Sequence, residues 1–453
     1  MDNKWISESA IVGLANALIF TGSKSKVDYT KHFQILINID GLKITQEICL
    51  LLYRLFCFDK SRHSNRQVID KLVLFFQGRR SFCDALLLRM LKFIETHLNG
   101  SWCNGIDVWT LRNSSLASEQ VYMDENLPLI VKGETGQELT LDIRVILQTV
   151  KKGKNGISFE PPIDDAPLDD WEKFLLAYRT YHEDNTIYDE EFLIFALVSC
   201  QEIYREDGNI NLKLFVESGG LSFAICSLAS EVPDISRAAS TIILSVTSFL
   251  STPEVATYRE NTIISILLSK ILLHANEYPE KPLAPSIFIF ISQLLLVLIN
   301  PGHHLYERAV DYVLAGPGLR QELPMIKSIM NSDSKDSFKD IQWGLETLTN
   351  ALNTKADLYL YENFGIFEWV MTLSLSPYFE KSKIKSRIDD FLTKTAEVTG
   401  GSLALLTRHA GLAWNASSVE EDRRKREQQL RYLFTTPRDK ISEWTDHSVH
   451  DIF

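Results

Sequence analysis

The sequence is poor in the residues that punctuate β-rich chains: 453 residues carry only 21 glycines and 14 prolines. All-β architectures spend those residues on many tight turns, so the shortage points to helices. Cysteine is scarce as well. Cys49, Cys57, Cys83, Cys103, Cys200 and Cys226 form no CxxC pair and stand in mostly apolar stretches, where cysteine behaves as a small hydrophobe, in keeping with a reducing compartment. Long apolar runs are missing. The most hydrophobic one, Ile287 to Ile299, is broken by Ser292 and Gln293 and falls short of the ~18 to 20 residues that cross a bilayer, so it reads as a buried core helix. Trp5 to Phe20 lacks a basic leader region and a small-residue cleavage site, so no secretory signal is expected. Positive charge is in deficit: 47 basic against 59 acidic side chains leave a net charge of -12. A chain so charged does not coat nucleic acid with its whole surface, and any such contact must be local.

The motifs of common catalysts are absent too. No GxxxxGK[ST], GxGxxG or GxSxG occurs. Ala315-Gly316-Pro317-Gly318 reads as a helix-to-helix connection, and Gly400-Gly401-Ser402 as a helix junction with Ser402 as the N-cap. His303 and His304 are adjacent, which on a helix sends the rings to different faces, whereas a zinc pair wants i and i+4. One of them is expected to pin the turn while Tyr306 packs into the next helix. The acids Asp164, Asp165, Asp169 and Asp170 lack the glycine and closing glutamate of a calcium loop and suit a helix N-terminus. No catalytic residue, metal, cofactor, membrane or small-molecule substrate is therefore expected.

What is present is helical periodicity on a 45% hydrophobic background, enough for several cores. Ile235, Ala238, Ala239, Ile242, Ile243, Val246, Phe249 and Leu250 recur at three- and four-residue steps, with Pro233-Asp234 as a start signal and Thr252-Pro253 as a stop. Similar patterns cover 45–58, 67–76, 84–98, 170–181, 190–204, 262–274, 336–352 and 384–398. The exception is residues 100–167, where Trp102 to Leu111 and Leu127 to Val131 are β-prone and glycines and prolines gather after Lys151. The reading is thus all-α, with an N-terminal helical region 1–99, an irregular or β-prone excursion 100–167, a helical domain 168–416 and a charged helix and tail 417–453.

Internal repetition refines the fold class. Phe215-Val216-Glu217-Ser218-Gly219-Gly220-Leu221 resembles Leu360-Tyr361-Glu362-Asn363-Phe364-Gly365-Ile366 and, more weakly, Leu406-Thr407-Arg408-His409-Ala410-Gly411-Leu412. The spacing of Gly365 and Gly411 fits armadillo and HEAT units of about 40 to 47 residues, and that of Gly220 and Gly365 about three such units. Units of this kind hide their apolar faces by stacking, which predicts an α-solenoid with Gly220, Gly365 and Gly411 in equivalent inter-helix turns. Trp343, Trp369, Tyr359, Tyr361 and Phe364 fall at helical spacing and read as core. Two basic clusters are candidate RNA or importin contacts: Lys151, Lys152 and Lys154 in a glycine-containing stretch, and Arg423, Arg424, Lys425 and Arg426, followed by Arg431, in a polar stretch balanced by neighbouring acids.

Pro301, His303 and Tyr306, then Trp343 with Leu345, Leu348 and Leu352, then Asp357, Tyr359, Leu360, Tyr361, Ile366, Phe367, Ser376 and Pro377 follow one another in an order that resembles the C-terminal region of the nucleolar pre-ribosomal-associated protein 1 family. The resemblance covers about residues 168–414. Members of that family are several times longer, so it implies a C-terminal part, a fragment or a short member. It also implies a non-catalytic nucleolar scaffold in early precursors of the large ribosomal subunit, in company with other assembly factors including a DEAD-box helicase, and a role in maturation of 5.8S and large-subunit rRNA. The residues alone leave open a cytoplasmic armadillo-like adaptor that binds peptides in its groove.

Overall fold

The computed structural model describes residues 29–38, 45–98, 108–112, 138–152, 184–198, 212–252, 258–277, 283–316, 318–319, 323–331, 336–374, 376, 383–409, 411, 431 and 433. Helices dominate them, and the chain divides into two compact units, residues 1–148 with 158–204, and residues 149–157 with 205–453. No helix among the described residues is long and apolar enough to cross a membrane.

The first unit contains α1 (Tyr29–Ile37), α2 (Gln46–Phe58), α3 (Lys60–His63), α4 (Arg66–Phe75), α5 (Phe82–Leu98) and α7 (Glu190–Val198). Thr45 caps α2 and Asn65 caps α4, each accepting a backbone N–H with its side-chain oxygen. Strand β1 (Arg79–Arg80) pairs antiparallel with β4 (Asp184–Tyr188), and β2 (Val108–Arg112) pairs parallel with β3 (Glu138–Asp142). The β-prone reading of Trp102 to Leu111 is met over 108–111, while Leu127 to Val131 and the segment 170–181 lie outside the described residues. Asp84, at the start of α5, accepts from the amides of Gln77 and Arg79, both at 2.9 Å, and so ties the turn before β1 to that helix. Burial pushes its carboxyl up to about 6 against those hydrogen bonds.

The second unit takes the end of α6 (Ile143–Lys152) and then α8 (Leu212–Glu217), α9 (Gly220–Ser227), α10 (Pro233–Leu250), α11 (Asn261–Glu277), α12 (Pro285–Leu298), α13 (Tyr306–Ala315), α14 (Ile326–Met330), α15 (Ser337–Ala351), α16 (Lys355–Asn363), α17 (Ile366–Ser374), α18 (Lys383–Glu397) and α19 (Gly401–Thr407). Its packing has a period of three helices. α9 lies against α12, α12 against α15, and α15 against α18, while the intervening helices attach along the sides. This row is the core: every residue of α9 is buried, and α12 hides Ile287, Ile289, Phe290, Ile291, Leu294, Leu295, Val297 and Leu298. A helix apolar on all sides has to sit between neighbours, as the broken run at 287–299 foretold.

The stripe of α10 is buried at Ile235, Ala239, Ile242, Ile243, Val246 and Leu250, and Pro233 does open the helix. Phe249 is only half-buried, because it stands at the margin of the stripe and not in its centre. Among the aromatics expected in the core, Tyr361 is fully buried and Trp343, Trp369 and Phe364 are half-buried, but Tyr359 is 66% exposed. Tyr359 lies two residues from Tyr361, which on a helix turns it to the opposite side.

The glycine reading needs correction. Gly220 and Gly365 do stand at helix starts, yet at unlike places, since Gly220 opens a helix of the central row and Gly365 precedes α17 beside it. The left-handed residue before α9 is Gly219, with φ 86°, whereas a Cβ on Gly220 would lie 2.6 Å from the Phe215 ring. Gly400-Gly401 repeats the local geometry of Gly219-Gly220: Gly400 has φ 87° and precedes α19, and a Cβ on Gly401 would collide with the Thr395 carbonyl. Ser402 is accordingly not the N-cap; its buried hydroxyl donates to the Ala396 carbonyl at the end of α18. Gly411 is helical and buried, close against Leu405.

Gly365 has φ 66°, and a Cβ there would meet only ordinary contacts, so a substitution is penalised through the backbone alone. Gly365→Val is expected to cost about 1 to 2 kcal/mol, with Gly365→Asn costing less because asparagine tolerates this region, both read from urea denaturation midpoints.

Candidate functional site

The residues that carry the family resemblance come together in the second unit, on and around α12, α13, α15 and α16. The first element is the turn between α12 and α13. Asn300 Oδ1 accepts from the Gly302 amide at 3.2 Å, the His303 amide donates to the Asn300 carbonyl at 2.9 Å, and the Tyr306 amide donates to the His303 carbonyl at 2.9 Å. Pro301 is exposed and Tyr306 half-buried. His303 Nδ1 accepts from the Leu305 amide at 3.2 Å, so this imidazole pins the turn, as expected for one of the pair. The two rings do not diverge, however. They stack with centroids 4.3 Å apart, because the residues lie in a turn and not on a helix.

This turn is fastened to α15 by a buried carboxylate. Arg308 Nη1 lies 2.9 Å from Asp340 Oδ2, and His304 Nε2 lies 3.6 Å from Asp340 Oδ1, with Asp340 almost wholly inside. One turn along α15, Trp343 meets Phe290 of α12 edge to face at 6.5 Å, and Gly344 lets Ile329 of α14 approach closely. The Pro301-His303-Tyr306 and Trp343 motifs are thus two sides of one junction.

The third motif closes helix ends. Asp357 is fully buried at the start of α16. Its Oδ2 accepts from the Thr354 amide at 2.9 Å and the Thr354 hydroxyl at 2.8 Å, completing a capping box. Its Oδ1 accepts at 2.8 Å from the Ser286 amide, in the first turn of α12. A single carboxylate therefore serves the N-termini of two helices, where the aligned peptide dipoles favour negative charge. Tyr361, one turn later, donates its hydroxyl to the Leu348 carbonyl near the end of α15 at 3.0 Å, and burial raises its pKa well above the usual phenol range.

Of the candidate RNA or importin contacts, Lys151 is exposed and Lys152 half-buried at the end of α6, whereas Lys154 and the run Arg423, Arg424, Lys425 and Arg426 lie outside the described residues. Arg431 is exposed. The Lys151 carbonyl accepts from Asn350 Nδ2 at 2.7 Å, and the neighbouring Val150 carbonyl from Gln293 Nε2 at 2.9 Å. The roles of Gln293, Asn350, Asp340 and the double cap at Asp357 emerge only in the fold. Two signals for them existed: a glutamine inside an otherwise apolar run, and the Thr354-x-x-Asp357 spacing of a capping box. No group of three or more His, Cys, Asp or Glu side chains that could hold a metal occurs among the described residues.

His303 offers a pH handle on this junction. Burial, then the neighbouring His304, pushes its pKa down to about 4, with Asp340 opposing and Lys151 adding to the fall. The unfolded chain takes up that proton first, near the ordinary imidazole value of about 6.5. The contribution of His303 is thus fully present above that pH and drains away as the pH falls toward about 4. Urea midpoints compared at neutral and acidic pH should fall less in His303→Asn than in the unmodified chain.

Comparison with known proteins gives a consistent result. The sequence model of the family described as nucleolar pre-ribosomal-associated protein 1 matches residues 221–414. A Saccharomyces cerevisiae protein of that name is 24% identical over 90% of this chain and 27% of its own length. The mouse protein of the same name is 22% identical over 51% of this chain, and the human one 19% identical over 55%. The chain spans about a quarter of the yeast relative and about a tenth of the mammalian ones. No solved structure matches. The resemblance carried by Pro301 to Tyr306, Trp343 and Asp357 to Pro377 is thus matched by the comparisons, and residues 221–414 are similar to the nucleolar pre-ribosomal-associated protein 1 family.

Proposed function

We propose that this chain is a non-catalytic scaffold in early assembly of the large ribosomal subunit, acting in the nucleolus and supporting maturation of 5.8S and large-subunit rRNA. The observation that carries the reading is the likeness to the yeast nucleolar pre-ribosomal-associated protein over 90% of the chain. The packing of the second unit supports it. A row of helices repeating every third element suits an armadillo- or HEAT-like solenoid, whose repeats offer extended surfaces to protein partners. The buried polar side chains at the family motifs support a scaffold in a second way. Asp340, Asp357, Tyr361 and His303 are engaged in closing turns and helix ends, a structural use of polar side chains.

In this reading the partners are other assembly factors, a DEAD-box helicase among them, and pre-rRNA. The net charge of -12 confines RNA contact to local basic segments, Lys151, Lys152 and Lys154, or Arg423, Arg424, Lys425 and Arg426, the latter also suited to an importin. Crosslinking of the tagged chain to RNA in cells, followed by sequencing, is expected to enrich precursors of the large-subunit rRNA over those of the small subunit. A signal confined to the cytoplasm with no such enrichment would contradict the proposal and favour the adaptor.

A further inference from the structure

The apolar core helix α12 carries one long polar side chain in its buried middle, and that side chain points to a use. Gln293 is only 8% exposed and donates through Nε2 to the Val150 carbonyl at 2.9 Å, across 143 positions of sequence. Asn350, in the last turn of α15, donates through Nδ2 to the next carbonyl, that of Lys151, at 2.7 Å. The Asn350 backbone carbonyl accepts from Asn353 Nδ2 at 2.9 Å, which closes the end of α15 at this point. Val150 and Lys151 end α6, and the last carbonyls of a helix have no intrahelical donors. Two amide donors on adjacent row helices thus meet two successive orphan carbonyls. Val150 is 1% exposed and Thr149 is buried beside it, so the helix end is inserted and not laid on the surface.

An amide in an apolar helix is a poor choice unless something outside that helix accepts from it, since a buried unpartnered donor forfeits its hydrogen bonds to water without replacement. Its acceptor here lies well before residue 221, where the family match begins. We propose that Gln293 and Asn350 form a receptor for the end of α6, and that residues 149–152 are an integral piece of the family region, a clasp across α12 and α15 without which that region is incomplete. The partner this surface fits is the C-terminal turn of a helix presenting two free carbonyls and a β-branched apolar side chain, and the chain supplies it from its own earlier sequence.

The test uses the full chain. Gln293→Met keeps the length of the side chain and removes the donor, and Asn350→Ala is the milder partner variant. In each, hydrogen exchange at the amides of 146–152 and of α12 is expected to quicken by about tenfold or more, and tryptic cleavage after Lys151 and Lys152 to rise, while α18 keeps its protection. Gln293→Glu separates hydrogen bonding from packing. As a carboxylate it faces a carbonyl with no proton to donate and should release the clasp at neutral pH. Once protonated it regains a donor, so protection should return as the pH falls toward about 5. Unchanged exchange at 146–152 in Gln293→Met, or a Gln293→Glu chain whose protection ignores pH, would overturn the proposal.

Discussion

Helices packed end to end in a dry interior leave backbone N–H and C=O groups at their termini with no partner of their own, and the second unit meets that constraint with side chains borrowed from other helices. Asp357 is the clearest case. It closes the N-terminus of its own helix α16 through Thr354 and, with its other oxygen, the N-terminus of α12 through Ser286, sequence positions 71 apart. The Tyr361 hydroxyl serves the end of α15, the Ser402 hydroxyl the end of α18, and the Lys270 ammonium donates to the Val313 carbonyl at the end of α13, where burial lowers its pKa. Each bond fixes the position of one helix end relative to another helix. Apolar packing alone tolerates sliding, because hydrophobic contact is non-directional.

This explains why the family motifs look as they do. The polar residues at fixed spacing serve geometry. His303 holds a turn, Asp340 anchors that turn to α15 through Arg308 and His304, and Asp357 and Tyr361 lock the next helix to two neighbours. The result is a row, α9 to α12 to α15 to α18, whose helices are tied to one another and to their neighbours. The side helices carry exposed apolar residues such as Leu244, Leu273 and Leu314.

The all-α class and the individual helices were legible because burial imposes a period of 3.6 on sequence, and the stripe of α10 shows it almost residue for residue. That one imidazole of the His303-His304 pair would pin the turn was also readable, but which of the two does so needed the fold. Pairings between distant residues were not. Nothing in Gln293 announces Val150, and nothing in Asp357 announces Ser286, because a hydrogen bond across scores of residues leaves no local periodicity. Glycine illustrates the same limit at short range. Gly219 and Gly220 are neighbours of identical type, yet one is required for a positive φ and the other for lack of a Cβ beside Phe215, and only the fold tells them apart.

At the centre of the second unit one buried carboxylate, that of Asp357, couples two helix starts. Residue-resolved hydrogen exchange on Asp357→Ala tests it directly, because the reporter, the Ser286 amide, belongs to a different helix from the substitution. The Ser286 amide and the first turn of α12 should lose protection together with the Thr354 amide, by about tenfold or more, while the far end of α12 is less affected. Loss confined to Thr354 and α16, with Ser286 as protected as before, would contradict it.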